Sequence, residues 1–482
     1  MTTDSHKSIR AVVLAAGQGK RMKSSRAKVL HDVLGKTILT RILEAVDGIG
    51  VERTHVVVGH QAEQLVEFLR SHPPATPYST HLQEPQLGTG HALQQVVAEL
   101  GNFSGTLLVT VGDAPLQTTE TLKAFVSRHQ QSGAVVSLLT TFVDDAKNYG
   151  RIVRDANGDV VQIVEDKDAT ASQKLLKEIN PAIYCFEWPA VADGLNSLRN
   201  DNNQKEYYLT DLIAWAKNAG LPMSSTVAPD WREVGGINSR VELAEAMRHL
   251  RDRVLKHLAL ESGVTIIDPS STWIAPEASF GEDSTVLPGC YITGEVEVGG
   301  GSVIGPHTVM HGPVKIGRDT TVTQSLVVKS DVGSNCRVGP FAHLREHTAI
   351  GDKCRIGNFV EIKKSEISDA TNVSHLSYVG DATVGSKANI GAGTITANYN
   401  HLTGTKSKTV IGDGASTGSN SVLVAPIRLG PGSVVGAGTV ATRDVPSGAL
   451  AVGRARQENK EGWVDKQRKV GAGAKADKPA QS

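Results

Sequence analysis

The sequence predicts two regions of different fold, an α/β region up to about residue 262 and a parallel β-helix from Val264 to about Gly453. In the first region short apolar runs alternate with helix-like segments, which is typical of a parallel sheet covered by helices. In the second region an aliphatic residue, usually followed by glycine, recurs every six residues, as in the coils of a parallel β-helix. The composition agrees, because 49 Gly against only 8 Phe, 8 Tyr and 5 Trp suits a core of stacked small side chains.

Three apolar runs in the first region predict buried strands, at residues 8–14, 54–59 and 106–112. Between them, residues 38–45 and 62–70 carry apolar side chains spaced three and four apart, which indicates amphipathic helices. In a sheet built this way, we expect the ligand to bind beyond the carboxyl ends of the strands.

The boundaries of the regions follow from where these patterns change. We predict an α/β domain over residues 1–238, a helical linker over 239–262, a β-helix over 263–453 and a tail over 454–482. The linker helix has its apolar stripe on Val241, Ala244, Met247, Leu250, Val254 and Leu258. From about residue 466 the tail is rich in Gly, Ala and basic residues, so we expect it to be disordered and solvated, although it could bind an anion.

Charge and composition exclude several classes of protein. Fifty Lys and Arg balance fifty Asp and Glu, so the chain lacks the positive charge of a nucleic-acid binder. The N-terminal residues are polar and no apolar run approaches about 18 residues, so neither a signal peptide nor a membrane span is predicted. The four cysteines form no CxxC pair, and we expect a cytoplasmic protein with reduced thiols.

The six-residue period places distant residues above one another in the β-helix. Three hexads complete one coil, so residues 18 apart are expected to stack about 4.8 Å from each other. Arg345 and Lys363 have this separation, and two stacked cations indicate a phosphate site, unless both side chains extend into solvent. Cys336 and Cys354 have it too, and we expect them to be reduced thiols rather than a disulfide.

The first predicted strand leads into a glycine-rich loop, residues 15–22 (AAGQGKRM). Such a loop is either an ordinary turn between a strand and a helix or a cradle in which backbone N–H groups and cations bind phosphate. It is not a P-loop, because Arg21 follows Lys20 where Ser or Thr is needed. It is not a dinucleotide-binding loop either, because Met22 stands at the third glycine position.

Several motifs taken together resemble the sugar-nucleotide pyrophosphorylases. They are residues 14–22 (LAAGQGKRM), Lys28, Gln83, residues 86–92 (QLGTGHA) and the Gly112-Asp113 pair. Joined to the hexapeptide region, residues 9–464 resemble the bacterial bifunctional N-acetylglucosamine-1-phosphate uridyltransferases/glucosamine-1-phosphate acetyltransferases. The resemblance implies an α/β fold, a Rossmann-like nucleotidyltransferase domain with a mixed, mostly parallel sheet, followed by a left-handed parallel β-helix of hexapeptide repeats.

For the first domain, the resemblance implies transfer of uridylyl from UTP to N-acetylglucosamine 1-phosphate, with release of pyrophosphate. Arg21 and Lys28 would neutralise phosphate oxygens, and Asp113 and Asn238 would bind Mg²⁺. Asp113 taken alone could equally be a carboxylate that caps a helix. The implied substrate-binding residues are Leu14, Ala15, Ala16, Gly17, Lys28, Gly112 and Asn238, with Gln83, Gly88 and Thr89 at the uracil and Gly150, Glu165 and Asn180 at the sugar.

For the second domain, the resemblance implies transfer of acetyl from acetyl-CoA to glucosamine 1-phosphate. His375 would be the general base, a role that suits an imidazole near neutral pH. The implied glucosamine-1-phosphate ligands are Arg345, Lys363, Tyr378 and Asn389, and the implied acetyl-CoA ligands are Ala392, Asn398, Tyr399, Ser419, Ala437 and Arg454. The family is homotrimeric, and residues 398–409, which break the six-residue period, are expected to leave the coil and reach a neighbouring copy.

Two positions depart from the family's pattern. Val111 precedes Gly112 and Asp113 where relatives often carry a hydrogen-bonding side chain. Pro181 and Ala182 follow Asn180 where the family usually has Thr-Gly.

Together the two activities would make UDP-N-acetylglucosamine for cell-wall precursors, but two other functions stay open. One is a nucleotidyltransferase with a single activity and a regulatory β-helix, against which the set of His375, Tyr378 and Asn389 argues. The other is a non-catalytic trimeric scaffold, against which the intact Lys28 and Asp113 argue.

Overall fold

The computed structural model describes residues 8–476 and divides into two compact units. The first unit runs through Glu261 and takes in Trp273–Ala278, and the second comprises Ser262–Thr272 and the chain from Ser279. The helix predicted as a linker therefore belongs to the first unit. Among the described residues, no helix is both long enough and apolar enough to cross a membrane.

A ten-stranded mixed sheet forms the centre of the first unit. Its strands are β1 (Ile9–Leu14), β4 (Arg53–Val58), β5 (Tyr78–Leu82), β6 (Gly105–Val111), β7 (Val136–Phe142), β8 (Gly150–Arg154), β9 (Val160–Val164), β10 (Glu178–Asn180), β11 (Tyr184–Trp188) and β12 (Met223–Val227). The short β2 (Asp32–Val33) and β3 (Lys36–Thr37) pair only with each other. The spatial order is β5-β4-β1-β6-β11-β7-β10-β8-β9, with β12 beside β7.

The sheet is mixed, as predicted, but it is not mostly parallel. The strands β5, β4, β1 and β6 pair in parallel, and so do β7 and β12. Every pair that involves β8, β9, β10 or β11 is antiparallel. For β8 and β9 the reason is their connection, because a turn as short as the one between them can join only antiparallel strands.

Helices cover this sheet, and some of them begin at a side-chain cap. The helices are α1 (Ile38–Asp47), α2 (Ala62–Ser71), α3 (Thr89–Gln94), α4 (Val97–Leu100), α5 (Thr119–Ser132), α6 (Ala192–Asn196), α7 (Asp211–Asn218), α8 (Trp231–Val234) and α9 (Arg240–Glu261), with 3-10 helices at Lys20–Met22, Lys28–Leu30 and Gln173–Leu175. The side chain of Thr37 caps α1 by accepting a hydrogen bond from the Thr40 N–H, as the side chain of Thr118 does for α5.

Three parallel sheets form the sides of a β-helix in the second unit, consistent with a left-handed coil of hexapeptide repeats. The first side consists of β13 (Thr265–Ile266), β16 (Thr285–Val286), β19 (Val303–Ile304), β22 (Thr321–Val322), β25 (Arg337–Val338), β28 (Arg355–Asn358), β31 (Asn372–His375), β34 (Asn389–Ile390), β39 (Ser416–Thr417), β42 (Val434–Val435) and β44 (Leu450–Ala451). The second side consists of β17 (Tyr291–Thr293), β20 (Val309–His311), β23 (Leu326–Val328), β26 (His343–Leu344), β29 (Glu361–Lys363), β32 (Tyr378–Gly380), β35 (Ile395–Ala397), β40 (Val422–Val424) and β43 (Val440–Ala441).

The third side consists of β15 (Ser279–Phe280), β18 (Val296–Val298), β21 (Val314–Ile316), β24 (Ser330–Val332), β27 (Thr348–Ile350), β30 (Glu366–Ile367), β33 (Ala382–Val384), β38 (Thr409–Ile411) and β41 (Ile427–Leu429). The strand β14 (Trp273–Ile274) belongs to the first unit. A hairpin of β36 (Tyr399–Asn400) and β37 (Thr405–Lys406) leaves the coil between β35 and β38. Four buried cysteines, including Cys336 and Cys354, are free thiols, as expected.

Two expectations at the ends of these units differ from the structure. On α9 the buried residues are Leu243, Ala246, Leu250, Val254, Leu255 and Leu258, and Val241 is 68% exposed. The predicted stripe is correct in its second half only. The predicted disordered tail contains the helix α10 (Trp463–Ala476), in which residues 463–472 are exposed and include Lys, Gln and Arg, which favour helix. Residues 477–482 lie outside the described part.

Candidate active sites

The carboxyl ends of the parallel strands gather the predicted phosphate and metal residues at one edge of the first unit. The Gly112 N–H after β6 donates to the Leu14 carbonyl at the end of β1, with N and O 2.8 Å apart. A side chain on Gly112 would collide with Ala15, so the loop that starts at Ala15 can lie against this strand only because residue 112 is glycine. The position predicted for the ligand therefore agrees with the arrangement of the strands.

Lys28, Asp113 and Asn238 meet directly, although up to 210 residues separate them in sequence. The Lys28 ammonium donates to Asp113 Oδ2 at 2.5 Å and to Asn238 Oδ1 at 3.1 Å. Asn238 is held by its own N–H, which donates to Glu242 Oε2 in the first turn of α9 at 2.7 Å. The side-chain oxygens of Asp113 and Asn238 therefore both contact one cation, the Lys28 ammonium, so their geometry suits a positive ion at this point.

The glycine-rich loop closes over the same lysine. Gly19 has a left-handed backbone (φ 60°), and a Cβ there would lie 2.8 Å from the Lys28 Cβ. Glycine is therefore required for the loop to pack this closely. Arg21 lies exposed on the 3-10 helix Lys20–Met22, and Gly17 is also exposed above the Lys28 ammonium.

The residues predicted to bind uracil lie together after β5 and at the start of α3. Gln83 is buried, and its Nε2 donates to the Gly88 carbonyl at 2.8 Å. Thr89 accepts a hydrogen bond on Oγ1 from the Leu209 N–H at 3.1 Å. Gly88 has φ 103° and lies so close to the Tyr207 carbonyl that a side chain would not fit. This segment is thus held rigidly before any ligand binds.

The three residues predicted at the sugar are also brought together. Gly150 on β8 is paired with Asn180 on β10, and a Cβ on Gly150 would lie 3.6 Å from the Glu165 carboxylate oxygens. Burial raises the pKa of Glu165 above its ordinary value, and the Thr210 hydroxyl donates to Glu165 Oε1 at 3.2 Å. The sequence reasoning missed Thr210, because no local pattern links it to a strand 45 residues earlier.

Both polar atoms of the Asn180 side-chain amide make hydrogen bonds within the protein. Its Nδ2 donates to the Tyr184 hydroxyl at 2.7 Å, and its Oδ1 accepts from the Ala182 N–H at 3.1 Å. Ala182 has a left-handed backbone, φ 60°, at the position where the family usually has glycine. The unusual Pro-Ala sequence therefore keeps the turn shape at the cost of backbone strain.

In the β-helix the register confirms that Arg345 and Lys363 belong to adjacent coils. Leu344 pairs with Ile362, and the Arg345 N–H donates to the Ile362 carbonyl at 2.9 Å. Arg345 Nη1 also donates to Glu361 Oε1 at 2.9 Å, and this contact raises the pKa of the guanidinium. Sequence spacing predicted the two cations but not the carboxylate beside them, which lies at the half-exposed surface and can exchange with a phosphate.

His375 lies exposed at the corner between the first and second sides of the β-helix. Its Nδ1 lies 2.8 Å from Asn358 Oδ1, one coil earlier, and the strands pair Asn358 with His375. An amide oxygen accepts a hydrogen bond, so this contact places the ring hydrogen on Nδ1 and leaves the Nε2 lone pair free. Asn358 is a partner of His375 that the sequence reasoning missed, although the 17-residue separation in a coil could have found it.

Most of the predicted acetyl-CoA residues lie at this same corner, in the coils that follow His375. The carbonyl of His375 accepts from the Gly393 N–H, that of Ala392 from the Asn420 N–H and that of Ser419 from the Gly438 N–H. Arg454 Nη1 reaches the Ala437 carbonyl at 3.5 Å. We call these aligned residues the His375 row; they are Asn358, His375, Ala392, Ser419 and Ala437.

The remaining predicted residues flank the His375 row. Tyr378 on β32 follows Glu361 in register on the second side, and Asn389 on β34 lies on the first side. Asn398 begins the hairpin segment, and its Nδ2 donates to Asp381 Oδ2 at 2.5 Å. Tyr399 is exposed on β36, which agrees with the prediction that residues 398–409 leave the coil.

Comparison with known proteins supports both halves of this description. A family model for nucleotidyl transferases matches residues 10–250, and one for the bacterial transferase hexapeptide matches residues 329–364. Proteins named "Bifunctional protein GlmU" are similar over nearly the whole chain. The one from Streptomyces avermitilis is 44% identical over 96% of both chains, and the one from Exiguobacterium sp. is 45% identical over 94% of this chain and 99% of its own.

The chain belongs to the GlmU family. A further member, from Geobacillus thermodenitrificans, is 45% identical over 95% of this chain and 98% of its own. The chain is accordingly a bifunctional enzyme of UDP-N-acetylglucosamine synthesis, with a nucleotidyltransferase half and a hexapeptide acetyltransferase half. Its GlmU family membership implies a divalent metal for nucleotidyl transfer, and nucleotide-sugar and acetyl-CoA substrates.

Proposed function

We propose that the chain acetylates glucosamine 1-phosphate at the His375 row and then uridylylates the product at the carboxyl edge of the mixed sheet. The observation that carries this proposal is the hydrogen bond from His375 Nδ1 to Asn358, because it gives the imidazole a free Nε2 at the surface. A histidine that served only the scaffold would have no need of that arrangement.

In the acetyl step, the neutral amino group of glucosamine 1-phosphate attacks the thioester carbonyl, and His375 Nε2 takes the proton that this nitrogen loses as the amide bond forms. The carbon–sulfur bond breaks, and the thiolate of coenzyme A takes the proton from the imidazolium. Arg345 and Lys363 bind the sugar phosphate, with Tyr378 and Asn389 on either side of the row. Acetyl-CoA binds along Ala392, Ser419 and Ala437, with Asn398, Tyr399 and Arg454 at its edges.

In the uridylyl step, a phosphate oxygen of N-acetylglucosamine 1-phosphate attacks the α-phosphorus of UTP, and pyrophosphate leaves. Lys28 and Arg21 neutralise the phosphate oxygens, and Leu14–Gly17 and Gly112 supply backbone groups. Gln83, Gly88 and Thr89 hold the uracil, while Gly150, Glu165 and Asn180 bind the sugar. Catalysis consists of positioning and charge neutralisation, so no covalent intermediate is needed.

Mg²⁺ is the metal we propose for this step, held by Asp113 and Asn238. A carboxylate and an amide oxygen are hard ligands, which this ion prefers while it keeps water and substrate phosphates as its other ligands. When bound, it would stabilise negative charge on the phosphates. Lys28, which bridges the same two oxygens in the structure, would then be free to contact phosphate.

We also propose a cytoplasmic homotrimer assembled through the β-helix. Four free cysteines support the reducing compartment. Phe341 and Phe359 stack with ring centroids 5.4 Å apart and are 52% and 56% exposed, and Leu376 continues this apolar edge beside the His375 row. Another copy that covered this edge would exclude water next to the base.

The two sites are proposed to work in separable domains, the first over residues 1–238 and the second over 263–453. A truncated chain of residues 1–261, which keeps α9 and the Glu242 that holds Asn238, should uridylylate N-acetylglucosamine 1-phosphate and sediment as a monomer. If this fragment were trimeric, the assembly contacts would lie in the first domain, and the proposed assembly through the β-helix would be wrong.

The decisive experiment is a product assay with glucosamine 1-phosphate, acetyl-CoA, UTP and Mg²⁺, in which each component is left out in turn. UDP-N-acetylglucosamine should form only in the complete mixture. Leaving out UTP should give N-acetylglucosamine 1-phosphate. If acetyl-CoA never contributed to the product, the β-helix would be regulatory and the two-site proposal would be wrong.

A further inference from the structure

A cluster of polar side chains lies between β4, β5 and α4, away from both sites described above. His55 is on β4, Ser79 and His81 are on β5, and Glu99 is on α4. We propose that His55, His81 and Glu99 form a binding site for a divalent transition metal such as Zn²⁺. Ser79 or a water molecule would complete the coordination.

Four of the separations between ligand atoms are close to those that such an ion requires, and His55 Nδ1 lies farther from Glu99, 3.9 Å from its Oε1. His55 Nδ1 lies 3.2 Å from His81 Nε2, and His81 Nε2 lies 3.2 Å from Glu99 Oε2. Ser79 Oγ lies 3.0 Å from the first nitrogen and 3.1 Å from the second. A tetrahedral zinc ion with bonds of about 2.0–2.1 Å keeps its ligand atoms about 3.3–3.4 Å apart. The protein thus holds the ligands at this spacing by its own fold.

The hydrogen atoms of the neutral side chains can satisfy the contacts among His55, Ser79 and His81 but not the contact between His81 and Glu99. The Gln95 backbone accepts a hydrogen bond from the His81 ring, and since Nε2 faces the cluster, the ring hydrogen belongs on Nδ1. His81 Nε2 then presents a lone pair to the Glu99 carboxylate, which is repulsive unless a cation lies between them. A metal-binding histidine commonly donates its other N–H to a carbonyl in this way.

The chemistry of the cluster selects the class of metal. Two imidazole nitrogens and one carboxylate suit Zn²⁺, Co²⁺ or a similar first-row ion rather than Mg²⁺, which prefers oxygen. The Arg53 guanidinium lies 3.5 Å from Glu99 Oε1, which leaves Oε2 directed at His81.

An ion at this site would tie the edge strand β5 to β4 and α4. His81 lies two residues before Gln83, whose N–H donates to the Val58 carbonyl at 2.8 Å. The metal would therefore stiffen the segment that leads to the proposed uracil site. This consequence rests on the proposed function, but the metal site itself does not.

The test uses the full-length chain without an affinity tag, stripped with a chelator and titrated with Co²⁺. We expect one equivalent to give the intense visible absorption of tetrahedral Co²⁺, and Zn²⁺ to displace it. Zn²⁺ should also raise the melting temperature, because it binds only the folded chain. Asp113→Ala should keep the absorption band, because oxygen ligands alone give a weakly absorbing octahedral site.

His81→Gln and Glu99→Gln should each abolish the band and the zinc-dependent rise in melting temperature. His72→Gln, at the exposed C-terminal cap of α2, is the matched control and should keep both. Glu99 is 39% exposed, so its variant should fold even if a change at His81 is poorly tolerated. A band that is missing in the unmodified chain, or that survives in both variants, would overturn the proposal. Acetyl and uridylyl transfer, measured on the same samples, report separately on the proposed function.

Discussion

The two halves of the molecule assemble their sites in opposite ways. In the mixed sheet, Lys28, Asp113 and Asn238 come from distant parts of the chain and meet because strand ends share one edge. In the β-helix, Asn358 and His375 meet because each coil lies on the one before it. Register in a repeat can be counted along the sequence, whereas the meeting of distant strand ends depends on the whole topology.

The chemistry of the two halves differs in the same way. The first site is built around charge, with an ammonium already bridging the two proposed metal ligands. The second contains the proposed base, His375, whose ring hydrogen is fixed by a neutral amide. Loss of a single metal ligand should therefore abolish charge neutralisation at the first site. At the second site, substitution of the base or of its hydrogen-bond partner should lower the rate of acetyl transfer by different amounts. The predictions below test that contrast.

The largest effect is expected for Asp113→Ala. Uridylyl transfer should fall by about a thousandfold or more, since the variant loses the carboxylate that is proposed to hold Mg²⁺ and that contacts the Lys28 ammonium. Acetyl transfer should be unchanged, because its proposed residues all lie in the other unit. Both half-reactions are measured on one preparation, with the exposed Asp144→Ala as the control. Equal loss of both activities would contradict two independent sites.

His375→Ala comes next, with a loss of about two to four orders of magnitude in acetyl transfer, the usual contribution of a general base. Uridylyl transfer and the melting temperature should stay as they are, because the side chain is exposed. The exposed His347→Ala, earlier in the β-helix, is the matched control. A variant that melted at a lower temperature but acetylated normally would make His375 a structural residue.

Asn358→Ala should have a smaller effect on the same reaction. It removes one hydrogen bond to the base, so kcat should fall about five- to tenfold while KM for glucosamine 1-phosphate changes little. Asn358→Asp should restore the rate and shift the acid limb of the pH profile upward, because a carboxylate stabilises the imidazolium. An unchanged pH profile in the aspartate variant would show that residue 358 does not act on His375.

How much of each site could be predicted from the sequence alone depends on the same contrast between the two halves. Spacing by itself placed Arg345 in the coil next to Lys363, and the structure confirms it. The sequence could not show that Glu361 pairs with Arg345, because that contact depends on side-chain direction rather than on period. In the first half, spacing could not relate Asn238 to Asp113, and only the resemblance to a family did so. The mixed sheet was predicted, but its large antiparallel part was not.

Glu165→Gln is expected to make the folded protein more stable and to weaken its binding of N-acetylglucosamine 1-phosphate. Because burial raises the pKa of Glu165 above its value in the unfolded chain, the fold favours the protonated form. That stabilisation is complete below the unfolded pKa and is lost as the pH rises through the raised folded pKa. At pH 7 the neutral amide should therefore raise the melting temperature by about 1–3 °C, and at pH 4 it should have almost no effect.

The same change should raise KM for N-acetylglucosamine 1-phosphate, because the carboxylate is proposed to bind the sugar. Asp145→Asn, in the loop after β7, is the control for loss of a carboxylate without burial. If Glu165→Gln lowered the melting temperature at pH 7, that result would contradict the inference that burial of a charged Glu165 destabilises the folded protein.

The smallest effect is expected at Ala182, where the family usually has glycine. Its φ of 60° costs an L-residue about 1–2 kcal/mol, and glycine would remove that strain while losing about 0.5–1 kcal/mol to greater freedom in the unfolded chain. Ala182→Gly should therefore stabilise the protein by about 0.5 kcal/mol and keep the N–H that donates to Asn180. Calorimetry should show a slight rise in melting temperature with KM for the sugar phosphate unchanged. Ala124→Gly, in the exposed middle of α5, should lower it instead, since helical alanine is favoured over glycine by about 1 kcal/mol. Equal losses in both variants would show that the turn at Ala182 is not strained, and that the Pro-Ala sequence has no energetic cost here.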